Sequence, residues 1–330
     1  MNKKFFHLLG LIFLVFLLNS KLSCNSFTGI SPTSDSLEIL VVYEQDAQGS
    51  KLELFKKYFF LPQKTITETE LTGDFYNIFE IIYINNSDFS EYFKGYRNIV
   101  FLSLHDAFSA QTEQDKWVPN QTVLYYTIDS LAKEKVLEAE TKKIIQNIKD
   151  IEIQRRIEDY QRFTKKEIKD FIYNEFDLSV SLPGGFSIVE SMDRFIDVRR
   201  DFSTGTHRII IQEIPNQDYQ SQQLTINTIN QIFEKNIHGE ANGSFAIIED
   251  VWSNVYMEKM NINNYTPIEI RGLWKIKNDP APMGGPFLGY ILQDFKHEKS
   301  LFIGVCIFAP GEEKASHLMD AEAIGKSLFY

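Results

Sequence analysis

The chain lacks most of the residues that disclose chemistry. Among 330 residues there are 2 Cys and 6 His. The two cysteines stand near opposite ends, at Cys24 and Cys306, and no framework of disulfides follows from such a pair. Beyond the first 24 residues the histidines are His105, His207, His238, His297 and His317, no two within five positions, so the compact zinc spacings are absent and no metal site is expected. There is no Gly-x-Ser-x-Gly elbow. "GKS" at 325 to 327 is not a phosphate loop, because Asp320 stands where the first Gly is required and three residues follow the Ser. No catalytic residues and no cofactor are expected from these patterns.

Basic clusters are also missing. Formal charge is −11, and removing Lys3, Lys4 and Lys21 with the leader brings it to about −14. A nucleic-acid partner needs a basic surface to displace counterions, so that class is excluded.

Long apolar runs are confined to the N-terminus. "MNKK", then the 14 residues "FFHLLGLIFLVFLL", then "NSKLSC" give the three-part layout of a secretory signal over residues 1–23. The apolar part is short for a permanent span. Leu22-Ser23-Cys24 resembles a bacterial lipobox, with Lys21 where an aliphatic residue is usual; Cys24 is therefore expected to carry lipid and to anchor the mature chain. With several acyl chains at roughly 0.8 kcal/mol per buried CH2, such an anchor is effectively permanent. "NSFTGISPTSDS" then reads as a tether, so residues 24–36 are lipidated Cys and linker.

The mature chain has the composition of a globular protein, 43% hydrophobic and 24% charged. "LEILVVY" (37 to 43) suits a strand covered on both faces, "KLELFKKYFF" (51 to 60) a helix, and 97 to 104 and 121 to 128 further strands, giving a mixed N-terminal half over 37–128. Residues 129–177 predict linking helices: one from Leu131 to Arg162, with pairs Glu138–Lys142, Glu152–Arg156 and Glu158–Arg162, and a second opened by a capping box in "TKKE" (164 to 167). The C-terminal half, 178–330, predicts two strands punctuated by Pro183-Gly184-Gly185, a strand pair around "FSTGT", a helix near 221 to 236, a strand, a hairpin across "KHEK" and a terminal helix with Leu318, Ala321, Ile324 and Leu328 on one stripe. The fold class is α+β, the second half an antiparallel sheet with packed helices.

"PIEIRGLWKI" alternates, placing Ile268, Ile270, Trp274 and Ile276 on one face and Glu269, Arg271, Leu273 and Lys275 on the other. Arg271 then either pairs with a carboxylate or faces a partner. An eight-residue loop is expected at 278–285, and Arg271 with Met283, Gly284 and Gly285 forms the candidate partner-facing surface. Cys306, inside "SLFIGVCIFA", reads as core. Asp35-Ser36-Leu37 and Asp129-Ser130-Leu131 resemble a short O-glycosylation sequon of the Bacteroidota envelope.

Taken together, "LPQ" (61 to 63), "YRNIVFLSL", "WVPNQTV", "RRDFSTGTHRIIIQEIP", and "RGLW" followed by "MGGPF" resemble a Bacteroidota lipoprotein family catalogued as domain of unknown function 4837, over nearly the whole mature chain. The second half is also similar to the α-β-α sandwich of PsbP-type proteins. The resemblance implies a lipoprotein and supplies no activity. The expected role is a non-enzymatic binding or scaffolding module of the cell envelope, on the outer membrane facing the periplasm, with an envelope protein as partner. The alternatives are a hydrolase of an envelope polymer, marked by a deep pocket where titratable groups converge, and a carrier of a small ligand in a cleft between the halves.

Overall fold

The computed structural model describes residues 32–44, 49–59, 77–250, 254–262, 265–281, 283–294 and 299–328. The signal, Cys24, "LPQ" and the hairpin tip around His297 lie outside the described residues.

The N-terminal half is a five-stranded sheet in the order β2-β1-β3-β5-β4. Its strands are β1 (Glu38–Tyr43), β2 (Glu80–Asn85), β3 (Asn98–His105), β4 (Ser109–Gln114) and β5 (Thr122–Asp129). All pair in parallel except β4, which is antiparallel to β5. Parallel sheets need cover on both faces, and the continuous apolar run of β1 reflects that. Ile39 and Val41 face α1 (Ser50–Phe59) and α2 (Glu134–Gln161), meeting Phe55, Ile144 and Ile148. Leu40 and Val42 face a second layer with Phe89, Phe101, Trp117 and Tyr125.

The C-terminal half is an eight-stranded antiparallel sheet. Its main path is β10-β11-β12-β13-β8-β7-β6, with β9 also on β11. The strands are β6 (Ser187–Met192), β7 (Phe195–Phe202), β8 (Gly205–Pro215), β9 (Phe245–Glu249), β10 (Tyr256–Lys259), β11 (Ile268–Lys277), β12 (Gly284–Asp294) and β13 (Lys299–Phe308). Strand β11 is long enough to pair with β10 through Ile268 to Arg271 and with β9 through Leu273 to Lys277. One sheet face buries Ile270, Trp274, Phe287, Phe302 and Cys306 against α4 (Gln222–Asn236), and Trp274 Nε1 donates to Ile307 O at 3.0 Å. The other face buries Ile196, Ile209, Leu288 and Val305 against α3 (Lys166–Phe176) and α5 (Lys314–Ser327). The class is α+β, with an α-β-α arrangement in this half.

The helices expected to link the halves instead divide between them. Ile144, Ile148, Ile153 and Ile157 of α2 enter the core of the first half, whereas Ile168, Ile172 and Phe176 of α3 enter that of the second. The capping box does not form: Lys165 is the N-cap without a side-chain bond, and Thr164 Oγ1 donates to Tyr160 O and accepts from Leu182 N at 2.7 Å. That bond draws in residues 178 to 182, which pair in no ladder but bury Leu178, Val180 and Leu182; of the two strands expected around Pro183, only β6 exists. Of the three helical ion pairs, Glu138–Lys142 is made, at 2.7 Å. Glu152 turns to Arg97 and Arg155, and Arg156 to Asp320, because these side chains are buried and meet partners from other elements. Glu158 accepts from Gln154 Nε2 instead, and Arg162 lies 4.0 Å from Asp159.

Helix α5 joins the two cores. Leu318, Ala321, Ile324 and Leu328 pack on the antiparallel sheet side, while Met319 and Ala323 enter the core of the N-terminal half. A helix apolar on both sides has to be buried on both sides. Its Gly325, part of the "GKS" string, is set by packing: a Cβ there would collide with the ring of Tyr290, which is fully buried. Gly325→Ala is expected to cost about 1–3 kcal/mol by overpacking. Urea unfolding measures this, and an unchanged midpoint would show that the ring has room to move.

Candidate functional site

Where α2, β10, β11 and α5 meet there is an open cleft of about 340 Å³. Lys149 and Gln146 come from α2, Tyr256, Met257 and Glu258 from β10, Glu269 and Arg271 from β11, Glu322 and Lys326 from α5, and Met260 follows β10. Both halves therefore contribute to one site.

The alternation of β11 brings Glu269 and Arg271 to the α5 side, away from Trp274. Residues two apart on a strand share a face, so the pair can meet: Arg271 Nε donates to Glu269 Oε1 at 2.6 Å. Arg271 Nη1 donates to Glu322 Oε1 at 2.9 Å, and Lys149 Nζ donates to the same oxygen at 2.7 Å. Glu269 Oε2 accepts from Tyr290 OH at 3.1 Å. Lys326 Nζ lies 3.8 Å from Glu322 Oε2 and 3.7 Å from Asp150 Oδ1. The side chains of Arg271, Lys149 and Glu322 are 12%, 6% and 3% exposed. Next to the cleft, Arg156 and Tyr160 of α2 both donate to Asp320 of α5.

Burial alone would push the Glu322 carboxyl up. Arg271, Lys149 and Lys326 outweigh it and hold the group below the usual carboxylate range. Burial likewise works against the Arg271 guanidinium, but Glu322 and Glu269 raise it well above its ordinary value. Lys149 is pushed down, since burial exceeds the pull of a Glu322 carboxylate that it shares with Arg271. Glu322 and Arg271 therefore carry fixed charges near neutral pH, which favours holding a ligand over shuttling its protons.

The candidate surface read from sequence does not assemble as one patch. Arg271 is a half-buried member of the ion-pair cluster. Met283 is half-buried against the α4 side of the sheet. Gly284 and Gly285 belong to β12 rather than to a loop, and a Cβ on either would collide with backbone carbonyl oxygens, of Trp274 and Ile307 respectively. Close backbone approach is their function. Cys306 is buried and its thiol is pushed up by desolvation.

Two histidines far apart in sequence do meet. His207 Nε2 and His317 Nδ1 are 2.9 Å apart, His317 Nε2 lies 2.6 Å from Glu312 Oε2, and Phe202 stacks on His317. Burial lowers His207 to about 4. Among the described residues no group of three His, Cys, Asp or Glu side chains could hold a metal.

Lys149, Glu322, Glu269 and Lys326 escape a reading of sequence alone. Their trace is a charged residue inside an apolar helical stripe: Lys149 after Ile144, Ile145 and Ile148, and Glu322 between Ala321 and Ala323.

Removing the guanidinium leaves Glu269 and Glu322 buried without their strongest partner. Arg271→Met is therefore expected to destabilise the protein by about 3–5 kcal/mol, with part of the loss recovered when Glu322→Gln is added. Chemical denaturation of the single and double variants measures both; a loss below about 1 kcal/mol would mean that water replaces the arginine freely.

Residues 165–327 match a family described as domain of unknown function (DUF4837), and residues 33–161 match a second, domain of unknown function (DUF8532). The resemblance read over nearly the whole mature chain thus divides at the turn between α2 and α3. No curated protein matches. Among solved structures, the Saccharomyces cerevisiae Ran-binding protein Mog1p is 12% identical with a TM-score of 0.28, over 45% of this chain and 84% of that one. The human StarD13 (DLC2) lipid transfer and protein localization domain is 12% identical with a TM-score of 0.19, over 44% and 89%. Likenesses this slight carry no functional argument. The C-terminal half is thus similar, over residues 165–327, to the DUF4837 family.

Proposed function

We propose that this chain is a lipid-anchored, non-enzymatic binding module of a bacterial cell envelope, and that the cleft between its halves is its ligand site. The observation that carries the reading is the shared cluster: Lys149 from one half and Arg271 from the other converge on Glu322 at the wall of a 340 Å³ cleft. That volume lies in the range of small-molecule sites. Charges locked in short ion pairs suit recognition, whereas a general acid or base needs a pKa near the working pH. The signal-like leader and Cys24 support the tether, and an acidic mature chain suits a soluble domain held beside a membrane. Among the described residues no helix is long and apolar enough to cross a membrane. The proposed site is the outer membrane, and Asn25-Ser26-Phe27-Thr28, which lacks an acidic run after the Cys, supports its periplasmic side. Scaffolding of an envelope protein remains part of the proposal only if the cleft has no small ligand.

Native mass spectrometry of the chain purified from its own membranes tests the reading. The expected result is a small-molecule adduct on the wild type that disappears in Lys149→Met, together with release of Cys24→Ser into the soluble fraction. A stoichiometric protein partner with no small adduct would move the function from the cleft to a surface.

A further inference from the structure

The cleft has more donors than its acceptors use. Lys149 Nζ spends one N–H on Glu322, and Arg271 spends Nε on Glu269 and one Nη1 proton on Glu322. Lys326 Nζ has ion-pair neighbours at 3.7 and 3.8 Å but no hydrogen bond. An ammonium has three donors and a guanidinium five. The two carboxylates accept two hydrogen bonds each, Glu322 both through Oε1 and Glu269 one through each oxygen. Glu322 Oε2 is buried and accepts none. The remaining N–H groups of buried Lys149 and half-buried Arg271 stand beside the cavity, where water or a ligand completes their hydrogen bonds.

Charge points the same way. The inner cluster of Lys149, Arg271 and Lys326 against Glu269 and Glu322 carries one net positive charge. Asp150, 3.7 Å from Lys326 Nζ, opposes a second negative charge on a ligand. Next to the cations the wall turns softer, with Met260 and with Tyr256, which stands opposite Arg271 in the β10–β11 register. Methionine side chains adapt to irregular apolar bodies.

Resting on the cleft as ligand site, we infer that its ligand is a monocarboxylate with a short apolar body. The carboxylate accepts from Lys149, Lys326 and the Arg271 guanidinium, and the body lies against Met260 and Tyr256. A planar carboxylate suits the fork of an arginine, and its single charge matches the one net positive charge of the inner cluster, which a phosphate dianion exceeds. Two sources share this chemistry: a short fatty acid, and the C-terminus of a peptide ending in an apolar residue.

Calorimetry on the detergent-solubilised full chain tests the assignment with hexanoate, N-acetylleucine, hexyl phosphate, hexylamine and hexanol. Saturable binding of hexanoate or N-acetylleucine is expected, with the tighter of the two naming the source, and hexylamine and hexanol should not bind. Lys326→Met, which removes no hydrogen bond within the fold, should weaken the carboxylate by about tenfold or more, and Lys149→Met likewise. Hexyl phosphate binding more tightly than either carboxylate, hexanol or hexylamine binding as well, or no carboxylate binding up to about 10 mM would overturn the inference. If the small-molecule adduct from membranes persists while both carboxylates fail, the cleft reading stands and only the carboxylate assignment falls; if both vanish, the two fall together.

Discussion

One carboxylate organises the contact between the halves. Glu322 is taken out of water on α5, between a long helix of the first half and a sheet of the second, and accepts from both. Burying an isolated carboxylate in a medium of low polarity is prohibitive, so it must be met by cations at short range. Lys149 and Arg271 meet it, and each is itself a largely buried charge that only this arrangement compensates. The three side chains depend on one another.

That dependence explains both the fold at the junction and the cleft. Helix α5 is apolar toward both cores, and three of its charged positions, Asp320, Glu322 and Lys326, lie where α2 faces it, while Lys314 at its start donates to Ala309 O and Glu312 O. Asp320 takes Arg156 and Tyr160, so the register of α2 against α5 is fixed at two places. A fully covered cluster of five charges would carry a large desolvation cost. Leaving one side open as a cleft lets water or a ligand complete the hydrogen bonds, which lowers that cost. The proposed binding role therefore uses a feature that the electrostatics of the junction already favour.

Much of the fold was legible in the residues because its signals are local. The unbroken apolar run of β1, the alternation of β11 and the Leu318-Ala321-Ile324-Leu328 stripe each follow from a period that the sequence displays. Where tertiary contacts compete, local rules lose: Thr164 leaves its capping position for Leu182, and Glu152 leaves Arg156 for Arg97 and Arg155. Strand β2, with the run "EIIYIN", shows a further limit, since a short apolar stretch states no topology. The site was half visible. The face that Arg271 shares with its partner Glu269 followed from alternation, but its other partner, Glu322, lies 51 residues away in the chain, Lys149 meets that same carboxylate from the first half, and no spacing rule reaches either. His207 and His317 were hidden for the same reason.

The central claim is that Lys149 and Glu322 are coupled energetically across the two halves, and a double-mutant cycle measures that coupling directly. Urea unfolding of wild type, Lys149→Met, Glu322→Gln and the double variant should give an interaction energy of about 1.5 kcal/mol or more, because each partner leaves the other buried without compensation. Additivity within about 0.5 kcal/mol would contradict the account and reduce the cluster to solvated neighbours.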